Sequence, residues 1–112
     1  MPACTLPQRS AYALVMDFEQ TLSEVVDSVI EAGLAEAGAD SDARRLADLA
    51  WRDRLTALAA TELSDRYTRP GRHRGGCGRA ALRRWLMPYS SLVTATARAL
   101  MACRSAVSMA AD

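Results

Sequence analysis

A chain of 112 residues, half of them apolar and 22 of them alanine, has room for one modest core and a single domain. Few aromatic and β-branched residues accompany the alanines, which argues against a β-sandwich or barrel and for helix. The formal charge is only +1, yet residues 1–65 hold five arginines against twelve acids, a net of −7, while residues 66–111 hold nine arginines and no acid.

The cysteines Cys4, Cys77 and Cys103 are odd in number and far apart, which excludes a self-contained disulfide framework. Reduced thiols in a cytoplasmic protein are the expectation. Residues 11–16 are apolar but lack the basic start and cleavage site of a secretory signal. Residues 92–111 are mildly apolar, but Arg98 and Arg104 lie inside them. Each would cost about 2.5–3.5 kcal/mol near a bilayer centre, so no membrane span is expected.

In chain order, residues 1–10 hold two prolines and no periodicity, and are expected to be disordered. Asp17 with Gln20 three residues on has the form of a capping box, although Ser10 competes as an earlier cap and Met16 as an alternative initiator. Phe18, Leu22, Val25, Val26, Val29, Ile30 and Leu34 then recur at three and four, one wide apolar face of a helix over 17–37. Asp17, Glu24, Asp27 and Glu31 fall on the opposite side. Gly33 is tolerated within this helix, and Gly38 suits the left-handed position just past it.

Residues 40–42 supply the next cap and open a helix over 41–66. Arg44–Asp48, Asp48–Arg52 and Glu62–Arg66 are spaced for ion pairs along it. Its large apolar residues divide into two groups: Leu46, Leu49, Ala50, Leu63 and Tyr67 on one side, Trp51, Leu55 and Leu58 nearly opposite. A helix with two such faces is either central in its bundle or covered by another chain, and Trp51, Leu55 and Leu58 are the candidate protein interface.

Residues 68–78 are rich in arginine and glycine and read as an exposed hinge loop. Beyond it Leu82, Leu86, Tyr89, Val93, Thr96, Leu100, Cys103 and Val107 alternate spacings of four and three, a heptad-like seam. Pro88 interrupts the seam without shifting its phase, which predicts a kinked helix or two helices, about 79–87 and 89–109. Arg83, Arg84, Arg98 and Arg104 lie off the seam as a basic counterpart to the acids of the first helix.

The chemistry is sparse. His73, Cys77, Cys4 and Cys103 are zinc-ligand types, but only His73 and Cys77 stand close in sequence, so no metal is expected. Cys77 among arginines and glycines could form a thiolate, yet nothing orients His73 as its base, and a solvated thiol, at most redox-sensitive, is the simpler reading. Residues 75–79 resemble an anion-binding helix start but lack the nucleotide-binding spacings and the preceding strand. No catalytic residue, cofactor or small-molecule substrate is inferred.

The expected fold is therefore all-α, a small antiparallel bundle of three to four helices in one domain. The expected function is a non-enzymatic interaction module that self-associates as a homo-oligomer or docks on a protein partner. The alternative is a small nucleic-acid-binding or ribonucleoprotein subunit, with Arg69, Arg72, Arg74, Arg79, Arg83 and Arg84 meeting phosphates and Tyr67 and Trp85 flanking them for stacking.

Overall fold

The computed structural model of the protein describes residues 11–68 and 79–111, with backbone alone at 11–17, 66–68, 108, 110 and 111. Four α-helices make up nearly all of it: α1 (Ala11–Ala37), α2 (Ser41–Thr68), α3 (Arg79–Leu86) and α4 (Ser90–Ala111), with a short 3-10 turn at Met87–Tyr89 between the last two. The fold is an all-α bundle, as the periodicity predicts. The expected loop at 68–78 loses its first residue to α2, which runs to Thr68; its residues 69–78, with His73 and Cys77, and the expected disorder of residues 1–10, with Cys4, lie outside the described residues.

The face predicted for α1 forms. Val25, Val26 and Val29 are fully buried, Leu22, Ile30 and Leu34 nearly so, and Phe18 packs at the edge of the same core. Each buried aliphatic side chain contributes about 1.5–3 kcal/mol relative to solvent, so this face is the main hydrophobic surface of the molecule. The start of the helix differs from the expectation. α1 runs from Ala11, which puts Asp17 inside the helix rather than at its start. Gln20 donates forward, one turn on, to Glu24 Oε2 at 3.0 Å.

Three residues turn α1 into α2. Gly38 takes φ +63°, the left-handed conformation that favours glycine. Its N–H donates to the Ala35 carbonyl and that of Ala39 to the Leu34 carbonyl, both at 3.1 Å, closing a Schellman motif. Asp40 then caps α2, accepting from the Ala43 N–H at 3.0 Å. The chain so reverses that α1 and α2 form an antiparallel hairpin.

The two faces expected on α2 are replaced by one oblique line. Ala43, Ala47, Leu55, Ala59 and Leu63 are buried and Trp51 is half-buried, one residue in four along the helix. Each step of four advances 40° around the axis, so the line winds through about 200° over five steps. Such a row is inclined to the helix axis, and α2 therefore lies obliquely against its neighbours. Leu46 and Leu49 stay exposed, at 40% and 68%, and Leu58 lies at the surface. They fail as core positions because alanines at 43, 47 and 59 take the contact and let the helices approach closely.

Pro88 is the hinge of the third rod. It has no N–H to give to the α-helical ladder, and the backbone passes through a 3-10 turn. Leu86 and Ser90 on either side keep right-handed helical angles, so α4 resumes in phase with α3. Leu82, Leu86, Val93 and Ala97 are fully buried, and Tyr89, Thr96 and Leu100 half-buried. The seam ends there. Cys103 and Val107, expected to continue it, are exposed.

Arg79 pairs with Glu24, Thr94 meets Gly33, and Arg104 meets Asp40, which fixes the direction of the third rod. It runs parallel to α1, antiparallel to α2, and its far end passes the α1–α2 turn. The molecule is long, 64 × 24 × 17 Å, with a radius of gyration of 17.5 Å. A compact chain of this length would have about 13 Å.

Candidate interaction surface

The arginines expected to bind polyanion are divided by the fold. Arg69, Arg72 and Arg74, with Tyr67, have no described side chains. Arg79, at the first residue of α3, points to α1 and lies 2.9 Å from Glu24. Arg83 and Arg84 are exposed on α3 and form no ion pair among the described residues. Trp85 follows them, 36% exposed, its ring tilted against Tyr89 with centroids 6.2 Å apart.

Four acids of α1, Glu24, Asp27, Glu31 and Glu36, meet arginines of the same chain. Asp27 lies 2.6 Å from Arg52 and Glu31 3.0 Å from Arg44. Arg44 thus reaches across to α1 rather than along α2 to Asp48 as its spacing suggested, and its Nε also donates to the Ala39 carbonyl at the end of α1. Asp48 pairs with Arg52 at 2.7 Å, as its i,i+4 spacing predicts. Arg66 of the third expected pair has no described side chain. Arg98 lies 3.9 Å from Glu36, and Arg104 bridges Asp40 and Asp42. Between the two halves of opposed charge, Arg79, Arg98 and Arg104 are the described arginines that meet acids of residues 1–65.

These bonds move the titrations in opposite directions. The Arg52 guanidinium holds the Asp48 carboxyl below its usual range, against a smaller opposing effect of burial. Arg52 itself is pushed up, first by Asp48 and then by Asp27. Asp40 is lowered by Arg104 and, next, by the Ala43 N–H that it caps. Asp40 therefore does two jobs: it starts α2 and it pins α4. The sequence marks the first through its position before Ser41 but not the second, since 64 residues separate the partners.

The three candidate interface residues part company. Leu55 is fully buried in the chain's own core and presents nothing to a partner. Trp51 packs beside that core with its polar tip satisfied, the indole N–H donating to Thr96 Oγ1 at 2.8 Å. The Arg54 guanidinium covers the other part of its ring, 5.3 Å from the centroid. Leu58 alone is a surface side chain.

Other apolar surface was not anticipated. Val107 and Met109 near the end of α4 are 69% and 75% exposed, and Leu46 and Leu49 lie at the start of α2. Residues 102–107 are exposed without interruption. At 100° each they occupy every side of the helix, so no face of this end is buried, and Arg104 reaches the α1–α2 turn from the surface. A signal for it was present: from residue 101 on, the largest apolar residues are valine and methionine set among alanines, too little to fill a core.

A shallow groove between α1 and α3 is lined by Asp27, Ser28, Glu31, Ala35, Arg83 and Met87. Its two acids already hold arginines of α2. Among the described residues no group of three or more His, Cys, Asp or Glu side chains could hold a metal. No described helix is long and apolar enough to cross a membrane. The sequence matches no protein-family model, no curated protein and no solved structure.

Proposed function

We propose that the chain is a non-enzymatic helical interaction module, self-associating or docking on a protein partner. The observation that carries this reading is the exposed end of α4, where Val107 and Met109 stand at 69% and 75% exposure beyond the last packed residue of the seam. Exposed apolar side chains are ordinary when scattered, but here they lie on a helical end with no core beneath it. The test is the mass of the chain in solution over a range of concentration and salt. Assembly through apolar surface gives a mass above one chain that changes little between 0.1 and 0.5 M salt.

Nucleic-acid binding is the second reading, favoured by Arg83 and Arg84 standing exposed next to Trp85 and forming no ion pair among the described residues. Its mark is salt dependence. Affinity for duplex DNA would fall with log salt by about 0.9 per phosphate neutralised, and replacing both arginines by glutamine would lower that slope by about 2. An affinity indifferent to salt or to these changes removes this reading.

A further inference from the structure

We draw no further inference here: the strongest candidate, the apolar surface patch of Trp85 on α3 and Leu92 on α4 with half-buried Tyr89 between them, is an unpartnered helix face, and nothing in the structure shows what covers it.

Discussion

Gly33 of α1 and Thr94 of α4 meet where the two helices cross, and the Thr94 hydroxyl donates to the Gly33 carbonyl at 2.8 Å. Thr94 is the buried polar residue of the core, 6% exposed, and the Ser90 carbonyl also lies within its reach at 3.1 Å. A Cβ built at Gly33 would fall 2.6 Å from the Ser90 carbonyl oxygen and 2.7 Å from Val93 Cβ. Both distances are shorter than side chains tolerate, and the first is to backbone.

Gly33→Ala is therefore expected to destabilise the chain. In an exposed helix the change would gain about 1 kcal/mol from propensity. Here α1 and α4 must separate, at a cost of about 1–3 kcal/mol for overpacking, and the Thr94 bond lengthens with them. Urea unfolding followed by circular dichroism reads the result. A more stable Gly33→Ala variant would show that the crossing is looser than these distances.

Thr94→Val separates the hydrogen bond from the packing at this crossing. The shape is kept and the hydroxyl lost, while the Gly33 carbonyl keeps its place in the helix ladder. The expected loss is about 0.5–1.5 kcal/mol, the net worth of an ordinary hydrogen bond. It is measured by the same unfolding experiment, and a neutral result would mean that the hydroxyl is as well solvated in the unfolded chain.

Long apolar periodicity was legible in the sequence; small residues and distant partners were not. The face of α1 from Leu22 to Leu34 and the seam from Leu82 to Leu100 were readable because valine and leucine mark them. The buried line of α2 was not, since three of its members are alanines that look the same in a core as on a surface. Gly33 was read as a tolerated defect, for nothing local reveals that Ser90 will approach it. Asp40 announced its capping role through the next three residues, but Arg104 is brought to it only by the course of the third rod. The break at Pro88 was visible as a choice of two outcomes, and the 3-10 turn is the one realised.

The oblique line on α2 predicts opposite behaviour for two leucines six residues apart. Leu55 is fully buried, and Leu55→Ala is expected to cost about 2–5 kcal/mol. Leu49 is 68% exposed, and Leu49→Ala is expected to change the stability of the monomer by no more than about 0.5 kcal/mol. Unfolding at low protein concentration keeps association out of the comparison. Similar losses at both positions would mean that α2 is covered on two sides after all.

Acid is expected to loosen the α4 end from the α1–α2 turn. Asp40 is held below the usual carboxylate range, first by its bond from Arg104 and then by the Ala43 N–H. Asp48 is held down by Arg52. A carboxylate with a lowered folded pKa contributes stability above its unfolded value, near 4, and loses it as pH falls through the folded value. Stability from these groups should therefore stay level from about pH 8 to 5 and decline below about pH 4. Asp40→Asn divides the two roles of this residue, because asparagine still caps α2 but carries no charge for Arg104. In that variant hydrogen exchange at residues 100–107 should already be fast at pH 7, while the first turn of α2 stays protected. Exchange in α4 unaltered by both acid and this substitution would show that the pin does not hold the helix end in place.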